Sequence, residues 1–390
     1  MKKLLYLFVI VVGLLFPRPA DAQIPFNPQD STYISLLTCA PGAELYSRFG
    51  HSAIRIYQPL SGLDIVFNYG LFDFQTPHFY LKFIRGKLLY QLGAQRFSDF
   101  IQFYQQEGRR VTEMPFQLSA ADKRKIIYFL EKNYQPENRK YLYDFFFDNC
   151  ASRIRDVLEK STALRYTKAN AKNEHQKSYR QLLDSYLGQA PWEDFGIDLI
   201  LGLPTDQTAG FRGEMFLPDY LEQNLQTGIV RQQRVGSAPM VLVEGNAPQE
   251  AHQTLISPLL FFSLFFGLIL VFSWKAGPQT LRWLDTVLFG AIGLAGMLFI
   301  FMWLGTNHKA TYQNMNLLWA NPLALALPFA RFFSPKVSKW LTLLLLLGCL
   351  VALLGFPWLP QQLHPAVWPI ALAITTRSAI RLGYLPGFRA

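Results

Sequence analysis

The chain has 390 residues, 51% of them hydrophobic and 16% charged, with a net charge of +10. So little charge argues against an ordinary soluble enzyme and directs attention to membrane segments. Part of the basic excess sits in short loops beside apolar runs, which points to membrane topology rather than nucleic acid, and three cysteines exclude a disulfide framework.

Residues 1–22 read as a signal peptide: Lys2 and Lys3 precede an apolar run from Leu4 to Phe16, and Ala20-Asp21-Ala22 supplies small residues for cleavage. Residues 23–235 then form an exported domain. Tyr33–Leu37 is a short strand and Pro41-Gly42 a turn. His51–Tyr57 and Asp64–Tyr69 are strands joined by a turn at Pro59–Gly62. If Gln58 opposes Leu63, then Gly70 opposes His51, and Asn68 lies diagonal to the imidazole on the same face. Helical patterns follow at Phe97–Glu107 and Ala120–Asn133.

Next comes a strand-like aromatic run, Asp144-Phe145-Phe146-Phe147, that leads through Asp148-Asn149 to Cys150. Ile154, Val157 and Leu158 recur at helical spacing beyond it, so Cys150 falls in the first turn of a helix capped by Asp148 or Asn149. Ser178–Leu187 is a further helix. Residues 236–255 read as a linker holding one short strand, Met240–Val243.

Residues 256–390 read as an α-helical membrane domain. Ser257–Trp274, Thr286–Leu304 and Trp340–Trp358 are long apolar runs. Leu317–Phe333, interrupted by Asn321-Pro322, and Ala366–Leu382, carrying Arg377 and Arg381, bring the expected count to five spans. With five, every arginine-bearing end falls on the side opposite the exported domain.

The chemistry converges on Cys150. Free N–H groups and the dipole at a helix start favour a thiolate, and His51 is the candidate base. Asn68 is the leading candidate to orient His51, with Asp64 and His78 further off. Two plainer readings compete: Cys150 as a small buried residue, or a Cys39–Cys150 disulfide. In the membrane part, His308, Asn314, Asn316 and Asn321 suggest a polar lip for lipid head groups, against local helix breaking at Asn321-Pro322 and a solvated loop for the others. No metal-ligand cluster or phosphate-binding glycine loop is evident, so no cofactor is expected.

A histidine on a strand, a polar partner on the next strand and then Asn-Cys at a helix start resemble the circularly permuted papain-like (NlpC-type) enzymes. Two stretches, Leu37-Thr38-Cys39-Ala40-Pro41-Gly42 through Phe49-Gly50-His51-Ser52-Ala53-Ile54-Arg55 and Tyr143 through Cys150, are similar to the Lnb family of Bacteroidota. Asn316-Leu317-Leu318-Trp319-Ala320-Asn321-Pro322 also resembles it. The resemblance implies an α+β, permuted papain-like periplasmic domain ahead of about five spans in the inner membrane. It further implies a lipoprotein N-acyltransferase, with phospholipid as acyl donor, a diacylglyceryl-cysteine lipoprotein as acceptor, and Cys150, His51 and Asn68 as the site. The alternatives are a membrane-anchored thiol hydrolase (a lipase or peptidoglycan peptidase) and a non-enzymatic receptor with the Cys39–Cys150 disulfide.

Overall fold

The computed structural model describes residues 26–27, 31–166, 176–246 and 255–385; the expected signal peptide lies outside them, as does much of the expected linker. The first half is built on a seven-stranded antiparallel sheet. Its strands are β1 (Tyr33–Cys39), β2 (His51–Gln58), β3 (Leu63–Leu71), β4 (Leu89–Arg96), β5 (Val111–Pro115), β6 (Lys140–Leu142) and β7 (Met240–Val243), in the order β6-β4-β3-β2-β1-β5-β7. The strand expected within the linker is thus the edge of the main sheet. The β2–β3 register has Gln58 opposite Leu63 and Ile54 opposite Phe67, as the turn at Pro59–Gly62 requires.

Strand alternation divides the sheet's apolar residues between two faces. On one face Ile34, Leu36, Ile54, Ile56, Phe67 and Tyr69 pack against α3 (Ala120–Tyr134) and α4 (Cys150–Ser161). On the other, Leu37, Cys39, Ala53 and Val66 are covered by Phe100 and Tyr104 of α2 (Phe97–Gln106), which follows α1 (Phe79–Ile84) in the chain. Cys39 and Cys150 therefore belong to different packing clusters, and both thiols are free. The disulfide considered from sequence does not form.

The aromatic run before Cys150 is a turn rather than a strand. Asp144 Oδ1 accepts hydrogen bonds from the N–H groups of Phe146 (3.1 Å) and Phe147 (3.2 Å), so a side chain takes the place of a neighbouring strand. The Phe145 and Phe146 rings then pack on Phe216 rather than lying in the sheet.

Three longer helices, α5 (Tyr179–Leu187), α6 (Pro191–Ile200) and α7 (Pro218–Thr227), and a five-residue helix at Gly210–Glu214 complete this half. The chain after them carries α8 (Pro258–Lys275), α9 (Pro278–Leu304), α10 (Pro335–Gly355) and α11 (Val367–Arg381). Among the described residues α8, α9 and α10 are long and apolar enough to cross a membrane. The third expected span is not an α-helix: Met315–Leu318 and Pro322–Phe332 are the more tightly wound 3-10 helix. Pro328, inside the second stretch, lacks the N–H that α-helical bonding needs, whereas Pro322 takes its first position, where none is required, and Asn321 Oδ1 caps it by accepting from Leu323 N–H (3.0 Å). Such backbone is tolerated at membrane depth where protein surrounds it. Glycines provide that close cover: a Cβ on Gly296 would stand 2.2 Å from the Ala320 carbonyl oxygen, and one on Gly348 would stand 2.3 Å from that of Leu318.

The fifth expected span is the 15-residue α11, packed on α8 and α10. Its Arg377 is fully buried, donating to Asp285 (2.7 and 3.1 Å) and to Ser273 Oγ (3.1 Å). The charge read from sequence as a topology marker is therefore neutralised inside the bundle.

The two halves are joined by backbone and amide hydrogen bonds. Asn314 Nδ2 donates to the Leu199 carbonyl (2.7 Å), Gln361 Nε2 to that of Leu201 (3.0 Å), and Gly202 N–H to that of Ala310 (2.8 Å). Asn314 and Asn316 are almost wholly buried, so these members of the expected polar lip dock one half on the other instead of facing lipid head groups. Asn321 serves as the cap described above. His308 holds α1, its Nε2 lying 3.1 Å from the carbonyl oxygens of both Phe83 and Ile84.

Candidate active site

Cys150 opens α4 under a reciprocal cap. Asn149 Oδ1 accepts from Ser152 N–H (2.8 Å), and Ser152 Oγ accepts from Asn149 N–H (2.8 Å). Of the two caps proposed from sequence, Asn149 is the one used. Its Nδ2 also donates to the carbonyls of Phe145 (2.9 Å) and Phe216 (2.8 Å), which pins the helix start to the preceding turn and to the segment before α7. Asp148 instead forms an ion pair with Arg153 (2.6 Å), whose guanidinium lies over the Tyr141 ring at 3.5 Å.

His51 opens β2 directly after Gly50, which adopts a φ of 77° where a Cβ would fall 2.7 Å from the Cys39 carbonyl oxygen. Glycine is needed there, and its turn aims the strand so that His51 leads it. The imidazole Nε2 lies 3.1 Å from Asn68 Oδ1, so Nε2–H donates to the amide and Nδ1 remains for the sulfur of Cys150. Asn68 is nearly fully buried, and Cys150 is 8% exposed.

Burial is the largest single influence on both partners and opposes charge on each. On Cys150 it is outweighed by the His51 charge and hydrogen bond, and by the N–H groups of Ser52 and Ala151, so the thiol is held below its ordinary value. On His51, burial and Arg109 push downward, but the Cys150 charge and the hydrogen bonds of Cys150 and Asn68 raise the imidazole above its ordinary value. The two shifts together favour a thiolate–imidazolium pair. Cys39 is the contrast: burial pushes its thiol up to about 12, so it stays protonated and inert.

The sequence-derived residues Cys150, His51 and Asn68 thus meet at one point. Asp64 does not join them, because Arg55 Nε and Nη2 bind its carboxylate (2.8 and 2.7 Å). His78 precedes α1, outside this group. Arg48 pairs with Glu193 (3.1 Å), and Tyr69 donates to Asn133 Oδ1 (2.7 Å) within the core, so both are structural. Sequence reasoning missed Ser152 and the Ser52 N–H. An Asn149–Ser152 spacing of three was a readable capping signal, whereas the Ser52 contact depends on tertiary packing.

A cleft of about 630 Å³ lies between the two halves, lined in part by Tyr143, Asp144, Arg153, Lys160, Lys309 and Tyr312. Tyr143 connects it to the cysteine, because it packs against the core cluster that contains Cys150; burial and the Cys150 charge raise its phenol well above the usual range. Among the described residues Asp194, Asp198 and His364 are close enough together to hold a metal. The Asp198 carboxylate already accepts from Arg180 Nη1 (2.5 Å), so the group reads as an ion-pair network and lies outside the Cys150 site.

Asn68→Ala is expected to lower turnover roughly tenfold to hundredfold, part of the effect of a positioned base. Its pH profile is the sharper check. The Asn68 bond raises His51, so its loss should move the alkaline limb of activity downward and leave the acid limb, set by Cys150, nearly in place. A profile scaled down without moving would show that Asn68 does not act on His51.

No curated protein and no solved structure matches the chain. Two family profiles do: the Lnb N-terminal periplasmic domain over residues 23–185 and the Lnb transmembrane domain over residues 249–385. Between them they take in most of the sequence, including His51, Asn68, Cys150 and all four helices from α8 to α11. The N-terminal region is thus periplasmic and the C-terminal region membrane-embedded, and the chain belongs to the Lnb family.

Proposed function

We propose that this protein is a lipoprotein N-acyltransferase of the inner membrane that carries an acyl chain on Cys150. The observation that bears most weight is the Cys150–His51–Asn68 row, set in a domain that docks directly on a membrane bundle. The alternative, a membrane-anchored thiol hydrolase, needs the same row, and the docking favours a lipid substrate over a cell-wall one. In this reading residues 23–235, with the Met240–Val243 strand, are a permuted papain-like catalytic unit, and residues 256–390 cross the membrane five times, the 3-10 segment and α11 included.

In the first half-reaction the Cys150 thiolate attacks an ester carbonyl of a phospholipid. The Cys150 N–H at the start of α4, which the Asn149 cap leaves unused, stabilises the oxyanion. Collapse breaks the ester bond, and the lysophospholipid alcohol leaves with the proton from the His51 imidazolium. In the second, the α-amine of a diacylglyceryl-cysteine attacks the thioester. His51 takes its proton, the amide forms and the Cys150 thiolate departs. Asn68 keeps the imidazole in the tautomer that serves both steps. No step requires a metal or organic cofactor. The cleft at Tyr143 is where lipid and acceptor have room to approach.

Mass spectrometry of lipoprotein N-termini, in cells with and without the protein, tests the assignment. Deletion should replace N-acylated termini with free amines on otherwise diacylated lipoproteins. Unchanged termini in the absence of any other N-acylating activity would refute it and favour the hydrolase.

A further inference from the structure

Between β3 and β4 the chain exposes apolar residues that none of the described residues covers. Phe74 is 70% exposed, Tyr80 76%, Leu81 55% and Phe83 51%, and Ile84 is exposed as well. These side chains are organised: the Phe79 ring meets Phe74 at 4.9 Å, Tyr80 at 5.4 Å and Phe72 at 5.7 Å. A soluble domain seldom leaves so many aromatic residues together in water.

The position of the patch identifies its occupant. Helix α9, a candidate span, ends at Leu304, and three residues later Asn307 N–H donates to the Arg85 carbonyl (3.0 Å). His308 holds the end of α1 through the carbonyls of Phe83 and Ile84. Helix α1 is thereby fixed at the level where the span leaves the hydrocarbon, beside the exposed Leu304 and Phe301 of α9. Lys82, Arg85 and Lys87 interleave with the apolar residues, as expected for a segment lying among head groups.

We infer that residues 72–84 form a membrane-inserting segment whose aromatic side chains enter the outer leaflet next to α9. The bilayer then covers the patch, and Lys82 with the following Arg85 and Lys87 meets lipid phosphates. Aromatic contacts continue inward from it: Phe72 packs on Tyr90 (5.3 Å), and Tyr90 stacks on Tyr143 (4.4 Å), which packs against the core cluster containing Cys150. The segment would hold the Cys150 domain against the lipid surface at a fixed depth. The inference is independent of the reaction performed, so its failure would leave the acyl-transfer reading standing.

The test uses the full chain in phospholipid nanodiscs, in a Cys150→Ser background whose remaining cysteines are buried. Tyr80→Cys and Phe83→Cys carry a fluorophore, and Leu60→Cys in the β2–β3 turn is the control, at the opposite end of β3 and about 30 Å away along the strand. Probes at 80 and 83 should be quenched several-fold more by nitroxide-bearing lipids than by aqueous iodide, and the probe at 60 should show the reverse. A photoactivatable phospholipid on the unaltered chain supplies a check that needs no substitution: cross-links should appear in the 72–84 peptide as well as in α8–α10. Iodide quenching at 80 and 83 equal to that at 60, or cross-links confined to the spans, would overturn the inference.

Discussion

Cys150→Ser and His51→Ala are each expected to lower acyl transfer by about a thousandfold or more while leaving the protein folded and in the membrane. The hydroxyl of serine has no comparable tendency to ionise beside an imidazole, and the alanine removes the charge that holds the Cys150 thiol down. Because the two residues act as one ion pair, the double variant should lose little beyond either single one. Cys39→Ser is the control. Its thiol sits under α2 and stays protonated, so the variant should keep most of its activity and lose only about 1–2 kcal/mol of stability from a buried hydroxyl. Initial rates with purified variants decide this. If Cys39→Ser is as inactive as Cys150→Ser, the nucleophile has been misassigned.

The largest expected loss of stability comes from Arg180→Met. Arg180 is fully buried and pairs with Asp198 (2.5 Å) and Asp206 (3.0 Å) while donating to Thr205 Oγ1 (3.1 Å). Asp206 in turn accepts from Gln362 N–H (3.0 Å), so the cluster lies where the periplasmic half meets the bundle. Removing the guanidinium leaves two buried carboxylates unpaired, at a cost of about 3–5 kcal/mol. Thermal unfolding in detergent should show a lower midpoint, and proteolysis should cut first near residues 198–206. Adding Asp198→Asn and Asp206→Asn should recover much of the loss, because no buried charge then remains uncompensated. A triple variant as unstable as the single one would mean that Arg180 acts by packing rather than by charge.

What could be read from the sequence followed local rules. The His51–Asn68 pairing was legible because a tight turn at Pro59–Gly62 fixes the register and strand alternation does the rest. Cys150 at a helix start was legible from one capping residue and a 3.6-residue repeat. Phe145–Phe147 was misread because aromatic content signals a strand, whereas one carboxylate, Asp144, bends the chain into a turn. The expected span Leu317–Phe333 was misread as an α-helix because hydropathy counts side chains and does not register the N–H missing at Pro328 or which glycines admit the backbone. Arg377 was read as marking the end of the fifth span, since nothing local shows its partner Asp285, 92 residues away. Docking through Asn314 and Gln361 depends likewise on partners more than 100 residues distant, beyond any periodicity.

The central claim is that Cys150 carries an acyl chain between two lipids, and the intermediate itself tests it. Purified protein given phospholipid without an acceptor should accumulate an adduct of one acyl chain on Cys150, found by intact-mass and peptide mass spectrometry and released by hydroxylamine. A diacylated lipopeptide with a free α-amine should discharge the adduct onto that amine, and an N-acetylated lipopeptide should leave it in place. Absence of any Cys150 adduct, or release of free fatty acid at the same rate with either lipopeptide, would contradict the account.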